Sequence, residues 1–184
     1  MTNATNQALE CLLTRQQIQH RVNELGEEIS HDFAGQRIML VGVLKGAAMF
    51  VADLARAITV DCTFDFLAVS SYGMATHSSA VRLIKDVDHP IEGRNVILVE
   101  DILDTGRTLS YLKNMLLAQD PATLNIAAFL DKPERRLCHI QADYVGFSIP
   151  NRFVVGYGMD FAERYRNLPD ICVMATDAPT DVWE

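Results

Sequence analysis

Three short apolar runs constrain the fold more than any other feature of this chain. They are RIMLVGVL at 37–44, NVILVE at 95–100 and TLNIAAFL at 123–130. Each is short for a buried helix and lacks the polar alternation of a strand with one wet face. Each therefore predicts a strand covered on both sides. CTFDFLAVSS (62–71), rich in aromatic and β-branched residues, and DYVGFSI (143–149) predict two more. Near the end of the chain, ICVM is a further strand candidate.

The segments between these runs have helical spacing. Thr14-Arg15-Gln16-Gln17 has the form of a capping box. Ile18, Val22, Leu25 and Ile29 follow it at intervals of 4, 3 and 4, which predicts an amphipathic helix over about 15–31. Phe50, Leu54 and Ile58 mark one face of a second helix at 47–58, and Leu109, Leu112 and Leu116 mark a third. Alternating buried strands and helices predict an α/β fold with a mainly parallel, twisted sheet flanked by helices. YGMATHSSA (72–80) is small and polar without apolar periodicity, and is expected to be a mobile loop. VRLIKDV is expected to form a short strand on its far side.

The 184 residues suit one domain, and 49% hydrophobic residues are enough for a full core. Sixteen basic against 24 acidic side chains leave a net charge of −8, which argues against a nucleic-acid or anionic-membrane surface. Cys11, Cys62, Cys138 and Cys172 form no C-x-x-C pair. They read as reduced thiols in or near the core rather than as zinc ligands or a redox motif. The opening MTNATNQALE is polar, and no uncharged apolar run reaches membrane-spanning length. A soluble, cytoplasmic protein is expected.

In mainly parallel sheets, ligands bind beyond the carboxyl ends of the strands. Lys45-Gly46, Glu100-Asp101 with Asp104, and Asp131-Lys132 all fall at such ends, so three clusters should converge on one crevice. Asp104-Thr105-Gly106-Arg107-Thr108 links a strand to a helix. Its glycine permits close backbone approach, and its hydroxyls with the first N–H groups of a helix suit a phosphate. Taken alone, the string reads more readily as an ordinary αL turn with a Thr or Ser cap. Glu100 and Asp101 at a buried strand end require partners, either sugar hydroxyls or a divalent cation. No G-x-x-x-x-G-K-[ST] or G-x-G-x-x-G string is present. The five histidines form no dyad with Cys or Ser, so a hydrolase triad has no support.

VILVEDILDTGRTLS (96–110) closely resembles the phosphoribosyl-pyrophosphate (PRPP) signature of the type I purine phosphoribosyltransferases. LKGAAMF resembles the family's pyrophosphate loop, SSYG the start of its flexible loop, FLDKPERR its purine-recognition segment and IPNRFVVGYGMDFAERYRNLPDI its C-terminal hood. Five ordered motifs cover roughly residues 37–173, and they are most similar to the bacterial hypoxanthine and hypoxanthine-guanine branch. The resemblance implies one phosphoribosyltransferase domain, with a core at about 36–149 and a small hood from about 1–35 and 150–184. It places a mobile active-site loop at about 71–85.

The resemblance also implies a reaction: a 6-oxopurine and PRPP give a nucleoside 5′-monophosphate and pyrophosphate, with Mg²⁺. Glu100 and Asp101 would hold the ribose hydroxyls directly or through Mg²⁺, and Thr105, Gly106, Arg107 and Thr108 would cradle the 5′-phosphate. Asp104 would be the catalytic acid–base group near N7 of the base. Lys45, Gly46 and Arg166 would bind pyrophosphate, with the Leu44–Lys45 peptide often cis in relatives. Lys132 would donate to the 6-oxo group, Phe153 would stack on the base and the Val154 backbone would read its edge. Asp160 would be a further Mg²⁺ contact, and Ser71 and Tyr72 would close over the site. Homo-oligomers, dimers or tetramers, are implied as well. Asn151 stands where many relatives carry an acid, and relatives vary at Arg107; both leave the ranking of purines open.

Two other readings fit parts of the sequence. A nucleic-acid-binding regulator on the same fold is opposed by the charge and by Lys132 and Phe153; an adenine, orotate or uracil enzyme is opposed by the lysine donor and the hood sequence.

Overall fold

The computed structural model describes residues 9–72 and 80–174. Strand β1 (Leu9–Leu13) leads into α1 (Arg15–Asp32), whose Thr14 closes both halves of the expected capping box. Then come β2 (Ile38–Leu44), α2 (Ala48–Ala57), β3 (Cys62–Tyr72) and β4 (Ala80–Lys85). They are followed by β5 (Asn95–Leu103), α3 (Arg107–Leu117), β6 (Thr123–Asp131) and β7 (Tyr144–Ser148). Two short strands, β8 (Val154–Val155) and β9 (Ile171–Met174), end the described chain. Most of the expected mobile loop, residues 73–79, and the acidic C-terminal tail lie outside the described residues.

Six strands form the main sheet in the order β4-β3-β2-β5-β6-β7. All its pairings are parallel except β3 with β4. Alternate side chains of each central strand feed two apolar layers. Ile38, Leu40, Ile97 and Val99 pack with α1 and α2, while Met39, Val41, Val96 and Leu98 pack with α3. Ile18, Val22, Leu25 and Ile29 of α1 are 2% exposed or less, each contributing about 1.5–3 kcal/mol of burial. This double coverage explains why the strands read as continuous apolar runs.

The chain builds outward from β2 in both directions, to β3 on one side and to β5, β6 and β7 on the other. Strand order therefore reverses between β2 and β5, and a crevice opens beyond their carboxyl ends. Two differences from the sequence expectation matter here. First, β5 does not stop at Glu100 but runs to Leu103, because β6 continues pairing through Leu103↔Asp131. Glu100 and Asp101 thus lie within the last ladder rungs. Second, β1 was not anticipated; it pairs with β9, which pairs with β8, in a separate three-stranded sheet. Among the described residues of the N-terminal segment expected in the hood, β1 joins this sheet, while α1 packs on α2 and β7. Among the described residues no helix is long and apolar enough to cross a membrane.

Helices α1 and α2 touch at Gly26, where an added Cβ would sit 2.6 Å from the Ala57 Cβ and 2.8 Å from its carbonyl group. Alanine gains up to about 1 kcal/mol in helix propensity, but overpacking costs about 1–3 kcal/mol. Gly26→Ala should therefore lower the urea midpoint of unfolding. A midpoint equal to or above that of the parent chain would mean that the helices separate freely.

Candidate active site

The crevice is assembled from backbone contacts that exclude side chains. The Leu44–Lys45 peptide at the end of β2 is cis. A Cβ on Gly46 would lie 1.9 Å from Oδ2 of Asp101, so the β2 turn and the β5 carboxylate are in direct contact. Gly158, with φ of 100°, abuts the same turn: its Cβ would fall 2.0 Å from the Gly46 carbonyl oxygen. Glycine at 46 and 158 thus lets three chain segments meet around Asp101.

Glu100 and Asp101 form a buried carboxylate pair. Burial raises the pKa of both, Glu100 well above the ordinary carboxylate range; for Glu100 the Asp101 charge adds to this, and for Asp101 hydrogen bonds from Glu100 and from the Ile102 N–H at 2.9 Å oppose it, with a smaller contribution from the Arg166 cation. One oxygen, Oε2 of Glu100, is buried with no hydrogen-bond partner. An orphaned acceptor beside a second acid suits a hard cation or hydroxyl donors. Among the described residues no group of three or more His, Cys, Asp or Glu side chains could hold a metal by itself. One or two carboxylates per ion, completed by water and ligand phosphates, is the usual coordination of Mg²⁺.

Downstream, Asp104 joins two cavities. One, of about 220 Å³, is lined by Glu100, Asp104, Thr105, Gly106 and Thr108 at the start of α3. The cap of α3 is Gly106 at φ 82°, without a side-chain cap bond, rather than a Thr or Ser. Apart from the long contact of the Arg107 N–H with the Thr105 hydroxyl, its first-turn N–H groups are left available to an anion. Arg107 is exposed and lines neither cavity, though its N–H donates to the Thr105 hydroxyl at 3.5 Å. The other cavity, of about 410 Å³, is lined by Asp101, Asp104, Lys132, Asn151, Phe153, Val154 and Asp160, among others.

Lys132 is 5% exposed, held by its N–H to the Leu103 carbonyl at 3.0 Å. Burial draws its ammonium below the ordinary lysine range, and the Asp104 carboxylate opposes this. Across the cavity, Phe153 is 52% exposed despite its size, set edge-on to Phe161 at 5.7 Å. Its carbonyl accepts from the Met174 N–H at 3.1 Å, anchoring it to β9. A large exposed ring lining the same cavity as Asp104, Lys132 and Asn151 offers a stacking surface.

The C-terminal segment supplies cations. Arg166 donates to the Gly158 carbonyl at 2.8 Å and pairs with Asp160 at 2.8 Å, while its Nε is buried without a partner. Asp160 is thus already engaged on both oxygens, the second accepting from the Glu163 N–H. Lys45 meets Arg166 indirectly: the Glu163 carboxylate lies 2.9 Å from Lys45 Nζ and 3.4 Å from Arg166 Nη2.

The structure brings together Lys45, Gly46, Glu100, Asp101, Asp104, Thr105, Gly106, Thr108, Lys132, Phe153, Val154, Asp160 and Arg166. Ser71 and Tyr72 end β3, and their side chains lie outside the described ones. Two polar neighbours had been missed. Glu163 bridges the cations, and Arg135 places its Nε 2.9 Å from Asp104 Oδ1, an ion pair by distance whose N–H is not aimed at that oxygen. Both lay inside quoted motifs, but spacing alone assigns an exposed charge no partner. Behind the cradle, Arg136 donates to the Asp104 carbonyl at 2.5 Å and pairs with Asp131.

The phosphoribosyl transferase domain model matches residues 9–162. The chain belongs to the phosphoribosyl transferase family. It is 51% identical over 164 residues to the hypoxanthine-guanine phosphoribosyltransferase of Mycobacterium tuberculosis, covering 85% of this chain and 81% of that one. The Streptococcus thermophilus enzyme of the same name is 48% identical, with 89% and 91% covered. Among solved structures, a Bacillus anthracis hypoxanthine-guanine phosphoribosyltransferase with HEPES in its active site superposes with a TM-score of 0.87 at 48% identity, covering 90% of this chain and 98% of that one. A Trypanosoma cruzi hypoxanthine phosphoribosyl transferase, studied for the role of its C-terminal region in oligomeric state and activity, gives 0.87 at 40% identity, with 95% of each chain covered.

The buried acid pair makes a pH prediction. Glu100 has a raised folded-state pKa, so between the ordinary carboxylate range and that raised value the folded state holds more protons than the unfolded one. Stability must fall as pH rises through this window. In metal-free buffer, Glu100→Gln should therefore gain stability over the parent chain as pH rises through that window. Urea titrations at pH 4.5 and 7.5 test it; a pH-independent difference would refute the raised pKa.

Proposed function

We propose that this chain converts a 6-oxopurine, hypoxanthine and/or guanine, and PRPP to IMP or GMP and pyrophosphate, in a Mg²⁺-dependent reaction of purine salvage. The observation that carries this reading is the pair of cavities sharing Asp104: one at a helix start lined by Thr105, Gly106 and Thr108, the other lined by buried Lys132 and exposed Phe153. Known relatives with the hypoxanthine-guanine name share about half of its residues.

In this reading the base stacks on Phe153, and the Val154 backbone meets its edge. Lys132 donates to the 6-oxo group, which favours oxopurines over adenine, whose 6-amino group is itself a donor. Thr105, Gly106 and Thr108 hold the 5′-phosphate through hydroxyls and backbone N–H groups, with Arg107 contributing its N–H. Glu100 and Asp101 take the ribose hydroxyls. Alignment of N9 with C1′ does much of the catalytic work, and Asp104 takes or shares the N7 proton as the new bond forms. Lys45, the Gly46 N–H and Arg166 bind pyrophosphate, which displaces Glu163 from between the two cations.

Glu100, Asp101 and Asp160 are the residues that would hold Mg²⁺; their hard oxygen donors and the orphaned Glu100 oxygen fit it. Bound there, the ion would offset charge on the leaving pyrophosphate. Ser71 and Tyr72 exclude water from the activated sugar, which would otherwise be hydrolysed. The protein works in the cytoplasm as a homo-oligomer, a dimer or tetramer, without nucleic acid or membrane.

Turnover with PRPP and Mg²⁺, offering hypoxanthine, guanine, xanthine and adenine separately, tests the assignment; inactivity with every 6-oxopurine would end it. Asp104→Asn should lower kcat by about 10²–10⁴ with PRPP binding largely kept. An unchanged kcat would remove Asp104 from the chemistry. Lys132→Ala should chiefly raise KM for the base; if adenine were still rejected as before, selection must lie elsewhere.

A further inference from the structure

Cys11 and Cys172 are register partners in the antiparallel pair β1–β9. Residues directly opposite in such a pair project to the same face, with Cα atoms about 4.5 or 5.5 Å apart. Both separations fall within the roughly 4.4–6.8 Å that a disulfide spans. The register shifts immediately after Cys11, before Leu13, and such irregularities bend a strand locally.

The two thiols differ in access. Both are free; Cys11 is exposed, whereas Cys172 is 9% exposed and packs with Val155 and Met174 against Phe161 and Leu168. Burial, and then the neighbouring Cys11, raise the Cys172 thiol above its usual range. The other cysteines lack such a partner: Cys62 lies opposite Ile38, and Cys138 follows the 3-10 turn at Pro133–Arg135.

We propose that Cys11 and Cys172 form a reversible cross-strand disulfide by exchange with a low-molecular-weight disulfide such as oxidised glutathione. The exposed Cys11 thiolate attacks one glutathione sulfur; the glutathione S–S bond breaks and one glutathione thiolate leaves. The Cys172 thiolate then attacks the Cys11 sulfur of the mixed disulfide, and the second glutathione thiolate leaves. Two protein thiols are oxidised, one glutathione disulfide is reduced, and the two cysteine protons pass to the departing thiolates. The high Cys172 thiol makes the second step the slower one near neutrality and speeds it as pH rises. The bond joins the first and last described strands. It lies in the same sheet as β8, and β9 also anchors the Phe153 carbonyl through Met174.

Incubation of the intact protein with oxidised glutathione, followed by alkylation and mass spectrometry, tests this. The parent chain should keep two of its four alkylatable thiols, carry no glutathione, and give a non-reduced peptide joining Cys11 to Cys172 that dithiothreitol cleaves. Cys172→Ala should instead retain one glutathione on Cys11, and Cys11→Ala should form no internal link. Glutathione retained at Cys11 of the parent chain would overturn the proposal. So would a link through Cys62 or Cys138, or a disulfide between two chains.

Discussion

The site depends on one contact, the Asp101 carboxylate pressed against the backbone of Gly46. The two strands that meet there, β2 and β5, are neighbours at the point where the sheet order reverses. With a side chain at 46, the carboxylate would have to withdraw, since its oxygen stands 1.9 Å from the missing Cβ. Gly158 repeats the device one layer out, bringing the C-terminal segment onto the same turn. Three segments far apart in sequence are therefore fixed to one another by the absence of side chains. The ordering of Lys45, Glu100 and Arg166 about a common centre follows from that packing.

What this packing encloses is electrostatically unfavourable by itself. Glu100 and Asp101 are adjacent acids in a buried position, and the first has an oxygen without a partner. Core strands rarely carry such pairs without compensation. Asp101 accepts from the Ile102 N–H at 2.9 Å, and the cation that opposes its protonation is Arg166, whose own Nε is also unpaired. A site that leaves both a buried acceptor and a buried donor unmet is arranged for something that brings its own cations, hydroxyls and anions together. A magnesium-bound sugar pyrophosphate, as proposed, has all three. The net charge of −8 belongs to the whole chain, while Lys45, Lys132, Arg135 and Arg166 gather locally around the two cavities and the β2 turn.

Much of this was legible from the chain alone. Apolar runs without alternation marked the doubly covered strands, and the capping box fixed the start of α1. The polar clusters at strand ends pointed to one crevice because sheet topology leaves few other places for them. The end of β5 was misjudged because acids look like a strand terminus; pairing with β6 carried the strand three residues past Glu100. Strand β1 was invisible because its partners lie some 160 residues away, and LECLL has no period of its own. The Lys45–Glu163 pair was hidden for the same reason: exposed charges acquire partners only from tertiary placement. Cys11 was expected within or near a core; it is exposed, though it stands opposite buried Cys172 on an edge strand.

The ion pairs around the site fall into two kinds, and the difference bears on how it could work. Arg136 is partly buried, reaches the Asp104 carbonyl and pairs with Asp131, while the Leu137 N–H donates to the Thr105 carbonyl at 2.9 Å. Arg136 lies outside the linings of the two site cavities, and these bonds tie Asp104 and the start of α3 to the segment after β6. Lys45 and Glu163, by contrast, are 64% and 66% exposed, and pairs this wet contribute about 0–1 kcal/mol. An incoming anion with more charge than a carboxylate can displace Glu163 at little expense. In the proposed reaction the base and sugar must be aligned to a fraction of an ångström, whereas pyrophosphate must arrive and then depart. Rigid buried bonds beneath Asp104 and exchangeable surface bonds around Lys45 match those two demands.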